Sequence, residues 1–464
     1  MELYCTANML RVADSRKAAA HMTPAMPGLA ATQLRLALDG FEDAANLEAL
    51  PTFADCRRAA VHRWYPIVVG FSRTSVSTAI TQSRLGPDDL LLDPFVGCGT
   101  TCVVAKATGV PSIGVEAHPF LALASRVKTT WNAFAAGSVS IRGLGADVVA
   151  DARLRCRAAD LSRTPAFLRT LFPDDEALAK LYGLRDAIND RFAGDRPVRE
   201  FMTLALTRAA HDSTPAKIDG VYVAPTTHKS VYGLPFESFI ARLAMMASDL
   251  ALVRRRCEDA PTSIIEGDAR NLRDIPSDSI ALVFTSPPYL NNFDYAEMTR
   301  LELYLLGMAG SWREISQRVR TKLVVNATTQ VTRATAELRA PDPQLPRDVR
   351  TSLERMSAEL ADLRLRRGGR KDYDITVIAY FNDMLRVLRE VHRVLRPGAV
   401  CRLIVGDSAL YGVHVPTDEF LCGIARGVGF ARVASRVLRH RGHRWRLPRR
   451  TYVPLRESEI TLWK

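Results

Sequence analysis

Two short stretches of this 464-residue sequence combine residue types that could do chemistry. The first is Thr285-Ser286-Pro287-Pro288-Tyr289, which directly follows an apolar run. Its prolines stiffen the backbone and leave carbonyl oxygens without competing N–H donors, between a hydroxyl and an aromatic ring. An ordinary proline turn with Tyr289 as core filler would read the same way. The second is Asp93-Pro94-Phe95-Val96-Gly97-Cys98-Gly99-Thr100-Thr101. Its glycines let the backbone pass close to a ligand at a strand end, where open α/β sheets bind nucleotide-like cofactors. No lysine follows them, so this is not the phosphate loop of nucleotide hydrolases, and the third glycine of the dinucleotide fingerprint is missing. Glu116 lies where an acid would hydrogen-bond vicinal ribose hydroxyls. The plainer alternative is a tight turn and an unrelated surface glutamate.

Both stretches need strands to hold them. Residues 90–95 read as an apolar strand, 102–108 as a helix and 112–115 as a second strand ending at Glu116. Further strand-like runs cover 263–266, before Gly267-Asp268, and 280–284, before the proline motif. A long amphipathic helix is expected over 373–395, ended by Arg396-Pro397-Gly398 and followed by a strand over 400–405; a closing strand is expected over 458–463. This alternation predicts an α/β fold around a mainly parallel sheet. About 140 residues of largely helical pattern, 120–261, exceed any loop and read as an inserted module. Residues 1–58 carry no recognisable chemistry, and 311–372 read as irregular.

Together the two motifs resemble those of the DNA amino-methyltransferases: Asp93 to Thr101 is similar to their cofactor motif and Thr285 to Tyr289 to their catalytic motif. The resemblance covers residues 61–118 and 262–304, and more loosely 373–464. It implies a Rossmann-like, seven-stranded methyltransferase domain (60–124 and 259–464) behind an N-terminal extension (1–59). A helical insert (125–258) is the candidate target-recognition module, although it begins earlier than in the commonest permuted arrangement. The implied cofactor is S-adenosylmethionine, held by Asp93, Pro94, Phe95, Gly97, Gly99, Thr100, Thr101 and Glu116. The segment His62-Arg63-Trp64-Tyr65-Pro66, followed by Phe71-Ser72, would enclose its methionine part, with Tyr65 as the candidate contact. Asp268, in Gly267-Asp268-Ala269-Arg270, would approach the adenine amino group.

An exocyclic amine conjugated to a base ring is a poor nucleophile, because its lone pair is delocalised. The family implies that the Ser286 side chain and the Pro287 carbonyl accept its hydrogens, in the loop that Pro287 and Pro288 stiffen, and that Tyr289 stacks on the base, which must be flipped out of the duplex. Members with serine at this position mostly modify cytosine N4 and those with aspartate or asparagine mostly adenine N6, so the expectation is N4-methylcytosine. Asn291, Asn292, Asp294 and Tyr295 could shape the base pocket or cap the next helix.

A formal charge of +13 suits a polyanionic partner, DNA in this reading. Residues 431–456 hold nine arginines and no acid, and Arg444, Arg446, Arg449 and Arg450 are the candidate phosphate contacts, against the alternative of a solvated hairpin. The eight cysteines show no Cys-x-x-Cys pair and no metal-ligand spacing, so no metal is expected. No run approaches a membrane span and no leader is recognised, so a cytoplasmic protein is expected. RNA base methylation and a catalytically silent DNA-binding protein are competing readings. A restriction partner, an orphan enzyme and a defence component would look alike.

Overall fold

A computed structural model describes residues 52–67, 70–132, 134, 140–219, 222–291, 293–332, 340–369, 371–441 and 454–464. The first elements are α1 (Arg73–Gln82), β1 (Leu91–Asp93), α2 (Thr100–Ala107), β2 (Ser112–Glu116) and α3 (Pro119–Thr129). Then come α4 (Ile141–Arg155), α5 (Ala166–Leu171), α6 (Asp175–Arg191), α7 (Arg196–Ser213), the hairpin β3 (Ala216–Asp219) and β4 (Tyr222–His228), and α8 (Pro235–Arg256). The chain re-enters the sheet with β5 (Thr262–Glu266) and β6 (Ile280–Thr285), followed by α9 (Tyr295–Met298), α10 (Arg300–Leu305) and α11 (Trp312–Arg318). It closes with α12 (Arg347–Arg366), α13 (Tyr373–Val394), β7 (Leu395–Gly406), the small pair β8 (Ser408–Leu410) and β9 (Val413–Val415), α14 (Thr417–Val428), β10 (Arg432–Arg441) and β11 (Leu455–Trp463).

Seven strands form one sheet in the order β10-β11-β7-β6-β1-β2-β5. The five from β7 to β5 are mutually parallel, and β11 runs antiparallel to β7 and β10. This is the expected Rossmann-like, seven-stranded sheet. Leu91 and Leu92 of β1 are fully buried, as a central parallel strand covered on both faces requires. The strand order reverses at β1: from it the chain runs outward through β2 to β5, then crosses back to β6 on the other side. Clefts at such a switch point, outside the carboxyl ends of the strands, are where α/β sheets bind ligands.

Between α3 and β5 the chain is helical, as expected, apart from the β3–β4 hairpin. Its helices do not pack in isolation. Phe201 of α7 and Phe239 of α8 share an apolar core with Trp64 and Phe120, and the Trp64 and Phe201 rings meet edge-on at 5.5 Å.

Two expectations are corrected. The stretch 311–372 is not irregular throughout: it contains α11 and the 20-residue α12. Only Val349, Leu353 and Leu360 of α12 are buried, so the helix shows too thin an apolar stripe to stand out in sequence. Likewise, Arg396-Pro397-Gly398 ends α13 but belongs to β7, whose pairing with β6 is bulged between Ile280 and Leu282.

Candidate active site

The carboxyl ends of β1 and β6 carry the two motifs, and one buried side chain joins them. Asp93 is wholly inaccessible; its Oδ1 accepts from the Thr285 hydroxyl at 2.5 Å and from the Phe95 N–H at 3.0 Å, and its Oδ2 from the Thr101 hydroxyl at 2.6 Å. Burial pushes its carboxyl up to about 6, against the pull of these donors. Asp93 thus holds the cofactor turn against the catalytic loop rather than facing a ligand.

The turn itself follows from its glycines. Gly97 (φ 54°) and Gly99 (φ 93°) occupy the left-handed region, which side chains rarely tolerate. A Cβ on Gly99 would also come within 3.2 Å of the Ser125 Cα, so this glycine lets α3 pack close. Ser125 Oγ in turn donates to the Gly97 carbonyl at 2.6 Å. Glu116, at the end of β2, accepts the Gly97 N–H on Oε2 at 2.9 Å and the His118 N–H on Oε1 at 2.8 Å. Burial pushes its carboxyl up to about 7, opposed by those two N–H groups.

In front of the turn lies a cleft whose empty space, counted out to open solvent, is about 820 Å³. Pro94, Phe95, Gly97, Thr100, Glu116 and Asp268 line it, as do Ser286 and Pro288 of the catalytic loop. Ile67, Phe71, His118, Leu121 and Tyr295 add walls, and Lys322, Leu323 and Val324 close one side. Tyr65, Gly99 and Thr101 stand behind this lining. Tyr65 is buried, donates to Glu302 Oε1 at 2.6 Å and packs edge-on against Phe120 at 5.0 Å; the nearby Ile67 and Phe71 take the wall position expected of it. Asp268 is held by Arg270 at 2.7 Å and keeps about a third of its side chain exposed.

On the catalytic loop the Ser286 hydroxyl donates to the Ile404 carbonyl of β7 at 2.9 Å. Its proton is thereby directed to the sheet, and its lone pairs stay available as acceptors. Pro287 is buried behind the lining. The Tyr289 hydroxyl donates to Glu457 Oε1 at 2.6 Å, and the Arg441 guanidinium lies 5.2 Å from its ring centre. Burial and the Glu457 carboxylate push the Tyr289 phenol well above its ordinary range. Gly406 makes room for this stack, since a Cβ there would sit 2.8 Å from the tyrosine ring.

Asp294 takes the plainer of its two expected parts. It caps α9 by accepting from Ala296 and Glu297 N–H, and pairs with Arg320 at 2.7 Å. The Asn291 N–H donates to the Asn326 carbonyl at 2.6 Å, whereas Asn292 is outside the described residues.

Arg444, Arg446, Arg449 and Arg450 also lie outside the described residues. Three arginines of the same stretch that are described are committed to ion pairs with acids the stretch itself lacks. Arg436 pairs with Glu459 at 3.2 Å, Arg439 with Glu457, and Arg456 with Asp418 at 2.9 Å and with Glu419. Among the described residues no helix is long and apolar enough to cross a membrane, and no group of three or more His, Cys, Asp or Glu could hold a metal.

A glycine turn and a Ser-Pro-Pro-Tyr loop, joined at the switch point of this sheet, form the arrangement expected of a DNA amino-methyltransferase, and the relatives of the chain point the same way. A family model described as DNA methylase matches residues 72–125, which run from α1 into α3. Over 451 aligned residues the chain is 23% identical to the Type II methyltransferase M.BsoBI of Geobacillus stearothermophilus, covering 88% of this chain and 86% of that protein. It is 33% identical over 165 residues to the Type II methyltransferases M.AvaI of Nostoc and of Anabaena variabilis, covering 34% of this chain and 32% of each. The chain is thus a DNA methyltransferase of the N4/N6 class.

Proposed function

We propose that the protein transfers a methyl group from S-adenosylmethionine to the N4 amine of a flipped cytosine, as the modification enzyme of a Type II system. The observation that carries the chemistry is the Asp93–Thr285 bond, which brings the catalytic loop to the mouth of the cleft. The cleft suits the cofactor: it offers an acid with acceptor capacity beside a glycine turn, apolar walls at Ile67 and Phe71, and a second acid at Asp268. When bound, the cofactor supplies an electrophilic methyl group on a positively charged sulfur. Glu116 then orients the ribose, Asp268 accepts from the adenine amine, and Pro94, Phe95, Gly97 and Thr100 fix the remainder.

Ser286 Oγ, whose O–H donates to the Ile404 carbonyl, accepts one amine hydrogen, and the Pro287 carbonyl accepts the other. Drawing both hydrogens out of the ring plane localises the nitrogen lone pair, and positioning does the rest. Tyr289, braced by Glu457 and Arg441, stacks on the base. Ser286 favours cytosine over adenine. The Type II names of the relatives favour a restriction partner, and the insert 125–258 reads the target while residues 444–450 grip phosphates.

The test is incubation of the protein with unmethylated DNA and labelled S-adenosylmethionine, followed by digestion and mass spectrometry of the nucleosides. N4-methylcytosine is expected. N6-methyladenine would overturn the base assignment, and absence of transfer to DNA would overturn the proposal.

A further inference from the structure

Arg270 is a residue for which the proposed reaction has no use, yet it ties two separate parts of the cleft wall to a buried acid behind them. Its Nε and Nη2 form a fork on the Asp268 carboxylate at 2.7–2.9 Å, and its own N–H donates to Asp268 Oδ1 at 2.9 Å. Its Nη1 pairs with the buried Asp383 of α13 at 2.9 Å. Its Nη2 also donates to the Lys322 carbonyl at 3.1 Å. Asp383 Oδ2 then takes the Val325 N–H at 3.0 Å. Asp268 and residues 322–324 both line the cleft, so one guanidinium fixes the acid and the wall segment together.

We propose that Arg270 is a positioning residue that makes the cleft select an amino-bearing purine over its oxo analogue, an inference that rests on the cofactor reading above. An ionised carboxylate only accepts hydrogen bonds and has about four acceptor sites. Three hydrogens of Arg270, with the Nε one shared by both oxygens, take about three of these sites, and the capacity left over belongs to the part of the carboxylate exposed at the cleft. A carboxylate held this way rewards an exocyclic N–H and repels a ring carbonyl, because a site built for a hydrogen bond penalises the ligand that cannot make it. A planar fork holds a carboxylate in one orientation, whereas a lysine would supply charge without orientation. Asp383 is the counterpart that keeps the fork in place and anchors the wall at Val325.

The test is calorimetric titration of the full-length protein with S-adenosylhomocysteine and with S-inosylhomocysteine, for wild type, Arg270→Met, Arg270→Lys and Asp383→Asn. Thermal melts confirm that each variant is folded. Wild type is expected to prefer the adenosyl ligand by about tenfold or more. Arg270→Met should weaken adenosyl binding with little effect on the inosyl ligand, so that the preference nearly vanishes. Arg270→Lys and Asp383→Asn should fall between, and these two carry the comparison if the methionine variant does not fold. A purely structural arginine would weaken both ligands alike, so an unchanged preference in the folded variants overturns the proposal. Failure of wild type to bind S-adenosylhomocysteine would instead overturn the cofactor reading, and this inference with it.

Discussion

Replacing Glu116 by glutamine changes one atom and should change cofactor binding in a predictable way. The carboxylate gives one oxygen to the Gly97 N–H at 2.9 Å and the other to the His118 N–H at 2.8 Å. Each oxygen retains a lone pair for a ligand hydroxyl. Glutamine has a single oxygen, so its NH₂ must face one of the two backbone donors. That clash is present with or without ligand and lowers stability. What enters the binding equilibrium is the missing bond from a ligand hydroxyl to a charged acceptor, about 1.5–3 kcal/mol, or roughly 10- to 150-fold in Kd.

The pH dependence has a definite sign. Burial lifts the Glu116 carboxyl from 4.5 to about 7, and the ionised form is the acceptor. Affinity for S-adenosylhomocysteine should therefore be highest above pH 7 and fall as the pH drops below it, approaching tenfold per unit. Folding stability runs the other way. A raised carboxyl contributes stability that is complete below its unfolded value and is lost as pH rises through about 7. Titration calorimetry at pH 6, 7 and 8 measures the first effect, and urea unfolding of the ligand-free protein the second. Glu116→Gln should flatten both contributions. A glutamine variant that bound within threefold of wild type, with the wild-type pH profile, would refute the role assigned to Glu116.

Ser286→Ala should lower turnover by about 100-fold or more while S-adenosylhomocysteine affinity stays near wild type, and Tyr289→Ala should behave in the same way; collapse of cofactor binding would show the roles to be misassigned. Thr285→Val removes a donor from the buried Asp93 carboxylate and should cost about 1.5–3 kcal/mol in urea unfolding. Glu457→Gln and Tyr289→Phe both disturb one hydrogen bond, so the double variant should lose little more turnover than the worse single one; additive losses would mean that Glu457 does not act through Tyr289. Charge reversal at Arg444, Arg446, Arg449 and Arg450 should weaken DNA binding and reduce its salt slope by as much as about 0.9 for each phosphate no longer neutralised, and unchanged binding would remove them from the interface.

Much of the scaffold was legible because periodicity reports burial. The apolar runs before Asp93, Gly267 and Thr285 and the long stripe of α13 all became the elements expected of them. Less was legible where a residue's part depends on partners distant in the chain. Asp93 sits inside the cofactor motif, yet its oxygens face Thr101 and Thr285, and nothing local distinguishes a ligand-facing acid from a buried bracket. Tyr65 was displaced from the wall in the same way, because Glu302 captures its hydroxyl from below. Lys322 to Val324 carry no repeat or motif that would mark them. They line the cleft because Arg270 and Asp383 hold neighbouring backbone, and pairings of that kind leave no trace in local pattern. Ile404 contributes through its carbonyl, which every residue type possesses.

The junction of β1 with β6 also governs how the chain acquires its fold during synthesis. The residues joined by the Asp93–Thr285 bond are 192 positions apart. β2 emerges soon after β1 and can pair with it at once, but the opposite flank of β1 stays open until the intervening helices and β6 have left the ribosome. Loop length itself adds little, about 0.6 kcal/mol for each doubling, so the burden falls on rate: pairings this remote form slowly, and an open apolar strand edge invites aggregation meanwhile. The helices between α3 and β5 pack on one another as well as on Trp64 and Phe120, and it is their mutual contacts, near in sequence, that favour early formation. Their exit is already tethered where it is needed, for the Glu258 and Ala260 N–H groups bond to the Ala107 and Lys106 carbonyls at the end of α2. That tether sets β5 beside β2, so the path left for β6 to reach the open flank of β1 is short.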